Sequence, residues 1–99
     1  MLMHIVSFRY KAEADAAART QHRERLRALK TLDGVLDLKV GEDLVRSARS
    51  FDTGLIISFR DRAALDAYQK DPQHVPVAQF GASMCEQIVA VDFEHSTDD

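Results

Sequence analysis

Ninety-nine residues, 45% of them hydrophobic and 29% charged, suit one globular domain and are too few for two. The net charge of −3 argues against general nucleic-acid binding, which needs a positive surface to displace counterions from phosphates. The single cysteine, Cys85, allows neither an intramolecular disulfide nor a cysteine metal site, which fits a reducing compartment, and no run approaches the roughly 20 apolar residues that span a bilayer. No basic region followed by a long apolar stretch leads the chain, so the expectation is a cytoplasmic protein, neither secreted nor membrane-embedded.

His4 to Lys11 (HIVSFRYK) alternates, with His4, Val6, Phe8 and Tyr10 on one face and Ile5, Ser7, Arg9 and Lys11 on the other, which predicts a first strand. From about Ala12 to Leu32 the residues are helix formers. At 100° per residue, Ala14, Ala18, His22, Leu26, Leu29 and Leu32 gather into one stripe, closed near Asp33 and Gly34. Arg19, Arg23, Arg27 and Lys30 form a second, basic stripe, read as a solvated flank. Val35 to Val40 predicts a second strand, with Leu36, Leu38 and Val40 sharing a face and Gly41 ending the run.

Residues 42 to 52 hold no period and read as a loop, whereas Thr53 to Phe59 (TGLIISF) is rich in β-branched and aromatic residues and reads as a third strand. Asp61 suits a helix N-cap, Leu65 and Tyr68 share a face, and the helix must yield at Asp71 and Pro72. Val77 to Met84 predicts another short helix. Glu86 to Phe93 (EQIVAVDF) predicts a fourth strand, with Ile88, Ala90 and Asp92 opposite Val89, Val91 and Phe93, before a loose polar tail over 95 to 99. The order is βαββααβ, one domain over residues 1–99. Its class is α+β, a ferredoxin-like protomer with a four-stranded antiparallel sheet and helices on one face. The opposite face carries apolar residues and needs a cover, for which a second copy is the simplest, giving a homodimeric α/β barrel.

The first strand HIVSFRYK, the segment FDTGLIISF with the following helix ending in LDAYQKDPQHV, and the closing IVAVDF together resemble the stress-responsive dimeric α/β barrel (Dabb) family. The likeness spans nearly the whole chain. Its most specific element is Tyr68, Pro72 and His74 in YQKDPQH, read with His4; where the family commonly has a histidine before the proline, this chain has Asp71, which suits a helix cap. The resemblance implies a dimeric barrel with a cavity between sheet and helices in each protomer. It also implies, from plant members that are polyketide cyclases working without metal or organic cofactor, a tyrosine and histidine pair that looks like Tyr68 and His74.

Among the residues themselves, His74 is the candidate catalytic base, since an imidazole titrates near neutrality, and Tyr68 the candidate acid that polarises a carbonyl. Their alternative roles are a turn-orienting histidine and an amphipathic tyrosine at the edge of the core. His4, His22 and Arg25 are candidate ligand-binding residues: His4 shares the inward strand face, and His22 and Arg25 fall on or beside the apolar helical stripe. Arg25 would anchor an acidic ligand, or else run its stem over the surface into solvent. No metal is expected, because His4, His22 and His74 lack metal-site spacing. No cofactor is expected either, since the four glycines, Gly34, Gly41, Gly54 and Gly81, are scattered. The expected partners are a second copy and a small acidic or carbonyl-bearing molecule, with no nucleic acid and no membrane. Three functions follow: a small-molecule-binding barrel, a cofactor-independent cyclase or isomerase acting on a carbonyl compound, or a structural module with a filled cavity. An open pocket at Tyr68 and His74 would favour the first two.

Overall fold

A computed structural model describes residues 1–96. Its elements are β1 (Leu2–Tyr10), α1 (Ala16–Ala28) tightened into a 3₁₀ turn (Leu29–Thr31), β2 (Val35–Glu42), β3 (Thr53–Phe59), α2 (Arg62–Lys70), α3 (His74–Met84) and β4 (Cys85–Glu94). The order is the expected βαββααβ. The strands form one antiparallel sheet in the order β2-β3-β1-β4, the ferredoxin-like arrangement, with β1 and β3 at its centre.

β1 alternates between buried and half-buried along its whole length, and its inward residues Val6, Phe8 and Tyr10 meet Leu26 and Leu29 of the first helical segment, Leu55, Ile57 and Phe59 of β3, and Leu65 and Tyr68 of α2 in one core. On the other face, Ile5 sits between Ile56 and Val91, and Met3 pairs with Phe93. Val91 and Phe93 are about half exposed, at 54% and 45%, so this face carries an apolar patch that no element of the protomer covers.

The helix limits follow their caps. Asp15 accepts the amide of Ala18 at 2.8 Å, so α1 begins at Ala16 rather than near Ala12. Asp61 accepts that of Ala64 at 2.9 Å, as its sequence context suggests. Gly34, at φ 85°, turns the chain into β2 where a side chain would be strained and a Cβ would crowd Ala64 at 3.2 Å.

Four local expectations are corrected. The second strand runs on through Gly41 to Glu42, because both residues pair with Gly54 and Thr53. Leu36 does not join Leu38 on the inner face: a bulge lets Val35 pair with Phe59 and Asp37 with Ser58, leaving Leu36 54% exposed. The helix expected from Val77 starts at His74 instead, with Pro76 in its first turn, where a missing N–H costs nothing. Asp71 is the C-cap of α2 rather than the N-cap of α3, which is Gln73; its carboxylate accepts the Gln73 amide at 2.8 Å and its carbonyl those of His74 and Val75. Finally, His95 is not loose, since its amide bonds the Met1 carbonyl at 2.9 Å and its Nδ1 meets the Ser96 carbonyl at 2.9 Å; residues 97–99 of the expected tail lie outside the described residues.

Asp61→Ala should lower stability by about 1 kcal/mol through loss of the cap. Asp66→Ala, which removes only an exposed ion pair to Arg62 at 3.0 Å, should leave the unfolding midpoint almost unchanged. Urea unfolding at one fixed protein concentration separates the two.

Candidate functional site

A cavity of about 200 Å³ lies between the sheet and the helices, lined by His4, His22, Tyr68 and His74 with apolar side chains such as Val6, Leu26 and Val77 between them. It opens toward β4, whose Ile88 and Ala90 line it while remaining exposed. Of four larger clefts, the two of about 480 and 530 Å³ are lined chiefly by charged and polar side chains, and those of about 450 and 340 Å³ lie around Gly41 and Gly54 without a histidine or tyrosine in their walls. The site is placed at the smaller cavity because there apolar walls surround a few converging polar groups.

Each polar group reaches the cavity for a local reason. His4 comes from the inward face of β1, and the register sets it directly opposite Asp92 of β4. Its Nδ1 hydrogen-bonds the Asp92 carboxylate, which can only accept when ionised, so Nδ1 carries a proton and the ring orientation is fixed. Tyr68 comes from the buried face of α2 and His74 from the first residue of α3; the bend at Asp71 and Pro72 brings their ring centroids to 4.2 Å. His4 lies 6.2 Å from Tyr68 by the same measure.

Burial controls the protonation of this group. It pushes the Tyr68 phenol well above its ordinary range, so Tyr68 is a neutral hydroxyl at any physiological pH. It pulls His74 below the ordinary imidazole value, with nearby His4 acting in the same direction and the backbone of Gln69 and the Asp71 carboxylate opposing. His74 Nδ1 is buried and has no hydrogen-bond partner among the described residues. A neutral histidine beside a protonated phenol is an arrangement that can accept one proton and donate another.

His22 sits on the inward face of α1, wholly buried at 0% exposure, with Phe8 packed edge-on at 4.8 Å between ring centroids. Its Nδ1 meets the Tyr10 hydroxyl at 2.7 Å, and that hydroxyl meets Thr53 Oγ1 at 3.0 Å. Its Nε2 has no hydrogen-bond partner among the described residues. Burial, with Arg23 nearby, drives its pKa down to about 4.

The structure thus brings four of the five residues singled out from the sequence into one cavity and leaves the fifth outside. Arg25 is exposed, its guanidinium 4.5 Å from the centroid of the Phe80 ring, and it does not line the cavity. Three residues on from His22 it is rotated off the buried stripe, so its stem carries the charge outward over an aromatic face. The basic stripe is likewise tied to the fold rather than free: Arg19 donates to the Ala14 carbonyl at 2.8 Å, Arg23 to Thr53 Oγ1 at 3.3 Å and Arg27 to the Val40 carbonyl at 3.3 Å. Cys85 is buried and its thiol pushed up to about 11, chiefly by desolvation, so it is no nucleophile at neutral pH.

Sequence reasoning missed Asp92, Tyr10 and Thr53, the groups that orient His4 and His22. Alternation does set Asp92 on the face of Ile88 and Ala90, but only the β1 to β4 register sets it opposite His4. Among the described residues, no three His, Cys, Asp or Glu side chains gather in a way that could hold a metal ion, and no helix is long and apolar enough to cross a membrane.

Because His22 and His74 titrate lower in the folded chain than in the unfolded one, the unfolded state takes up more protons as pH falls below about 6.5, and stability falls with it. The urea midpoint should drop between pH 7 and pH 5, and His22→Phe should show a shallower drop.

The family model for the stress responsive A/B barrel domain matches residues 2–95. A stress-response A/B barrel domain-containing protein of Arabidopsis thaliana is 32% identical over 95 residues, which are 94% of this chain and 36% of that protein, so the chain spans about a third of the length of the curated relative it matches. Among solved structures, a dimeric ferredoxin-like protein of unknown function from Thermobifida fusca superposes with a TM-score of 0.85 at 25% identity, over 93% of this chain and 88% of that one. The hydroxynitrile lyase of Passiflora edulis superposes with a TM-score of 0.87 at 22% identity, over 97% of this chain and 94% of that one, a likeness of fold. Matched along nearly all of its length, the chain belongs to the stress responsive A/B barrel domain family.

Proposed function

We propose that this chain binds a small organic molecule in the cavity between sheet and helices, and that it works as a homodimer in the cytoplasm. One observation carries the binding reading: two buried imidazole nitrogens, Nε2 of His22 and Nδ1 of His74, have no hydrogen-bond partner among the described residues, and both residues line the same cavity. Buried polar atoms are satisfied in nearly all proteins, so groups left open at a cavity wall are suited to a ligand. The pairing reading is supported by the uncovered apolar patch around Ile5, Val91 and Phe93 and by the dimeric relative from Thermobifida fusca. The cytoplasmic reading is supported by a buried, unpaired Cys85.

A second reading, a cofactor-independent cyclase or isomerase acting on a carbonyl compound, is favoured by the contact between Tyr68 and His74. In that reaction Tyr68 donates a hydrogen bond to the carbonyl oxygen and His74 takes a proton from the adjacent carbon. The enolate that forms keeps the electron pair, and His74 returns the proton elsewhere on the carbon chain.

Native mass spectrometry of freshly purified protein tests the binding reading. The expected result is a dimer carrying a small organic adduct, which Val77→Trp, by filling the cavity, removes without dissociating the dimer. A monomer throughout counts against the pairing, and an adduct that survives Val77→Trp counts against the cavity. For a substrate identified in this way, Tyr68→Phe and His74→Ala should each lower the rate by about 10² or more if the chain is an enzyme, and alter affinity alone if it only binds.

A further inference from the structure

The polar chain behind His22 has a direction. The Arg23 guanidinium, which can only donate, reaches Thr53 Oγ1 at 3.3 Å; Thr53 Oγ1 lies 3.0 Å from the Tyr10 hydroxyl, and that hydroxyl lies 2.7 Å from His22 Nδ1. Two arrangements of the protons are open. If Thr53 donates to Tyr10 and Tyr10 to His22 Nδ1, both hydroxyl protons have acceptors, and one group alone is left unmade among the described residues, the imidazole proton on Nε2. If instead His22 donates through Nδ1 to Tyr10 and Tyr10 to Thr53, the buried Thr53 hydroxyl proton is stranded and so is the Nε2 lone pair. Leaving a buried polar group unmade is the expensive error, so the first arrangement prevails. His22 Nε2 is then an N–H with no acceptor among the described residues.

The helix beside it respects this proton. Gly81 of α3 lines the same cavity, and a Cβ there would lie 2.8 Å from His22 Nε2, on top of the donor. Gly81 is inside a helix, where glycine weakens the helix relative to alanine, and the missing methyl leaves the donor uncapped. The walls also limit the charge of an occupant. Among the described residues no lysine or arginine lines the cavity, Arg25 being outside it; burial draws His22 and His74 toward the neutral ring, and His4 already pairs with Asp92. A carboxylate in this place would be buried without a free cation.

We propose that His22 is a specificity-determining hydrogen-bond donor in the wall of this cavity, and that the molecule it accepts presents an uncharged carbonyl oxygen to it rather than a carboxylate. This rests on the reading of the cavity as a ligand site and adds to it the chemical class of the ligand and the residue that selects it.

The test uses the full chain and three probes that differ in one feature. Acetophenone carries the carbonyl, α-methylstyrene has the same shape with CH₂ in place of the oxygen, and benzoate carries the charge. Nitrogen-15 NMR of the imidazoles reads the tautomer, and NMR titration reads affinity. The expected results are an Nε2–H tautomer for His22, binding of acetophenone about tenfold tighter than α-methylstyrene, and weaker binding of benzoate than of acetophenone. The ratio of the first two should persist in Arg25→Ala, whose side chain lies outside the cavity, fall to near one in His22→Phe, and recover in part in His22→Gln, whose amide nitrogen can take the place of Nε2. Gly81→Ala should lower it with His22 still present, so the inference stays testable even where His22→Phe fails to fold. An Nδ1–H tautomer, a ratio unchanged by His22→Phe, or benzoate as the tightest ligand would overturn the inference. Equal binding of acetophenone and α-methylstyrene overturns it while leaving the ligand cavity standing, whereas binding of neither overturns the cavity reading and the inference with it.

Discussion

His4, Val6, Phe8 and Tyr10 project from one side of a strand in the middle of the sheet, and two of the site's histidines are oriented through that strand. His4 belongs to it, and its carboxylate partner Asp92 is delivered by the neighbouring strand in register. His22 is held by Tyr10 at one edge and by the ring of Phe8 on its flank. A shift of one residue in the pairing of β1 would turn all four side chains to the opposite face, so the register of this strand and the integrity of the site are one constraint.

The cavity is polar in an unusual sense: its groups are titratable, and burial keeps most of that chemistry uncharged. Tyr68 stays protonated, while His22 and His74 are driven toward the neutral ring. Desolvation is the first cause in every case, which means that the same apolar packing that stabilises the core also sets the protonation states at its edge. His74 is therefore available as a base at neutral pH, and the walls exert directional hydrogen bonds rather than a net field.

Strand alternation carried much of this from sequence alone. HIVSFRYK identifies the inward face of β1, and Asp61, Asp71 and Pro72 mark where α2 starts and stops, which is enough to bring Tyr68 and His74 together. What stayed hidden depended on pairing rather than pattern. The partnership of His4 with Asp92 spans 88 positions and exists only in the β1 to β4 register. The bulge after Val35 turned Leu36 outward against its alternation. Arg25 was misplaced because the edge of a helical stripe is decided by the neighbour, here Phe80, and not by the angle of the residue alone.

β4 occupies one end of the sheet, and its central run Ile88-Val89-Ala90-Val91 holds four uncharged apolar residues in succession, exposed on both faces. A free strand border of this kind offers unpaired backbone donors and acceptors as well as sticky side chains, the conditions under which chains add to one another sheet by sheet. The acidic residues Glu86, Asp92 and Glu94 flank the run and act as gatekeepers against such growth. On the proposed pairing, newly made chains are most vulnerable before a second copy covers this region, and the yield of native protein would depend on assembly outpacing that competing polymerisation.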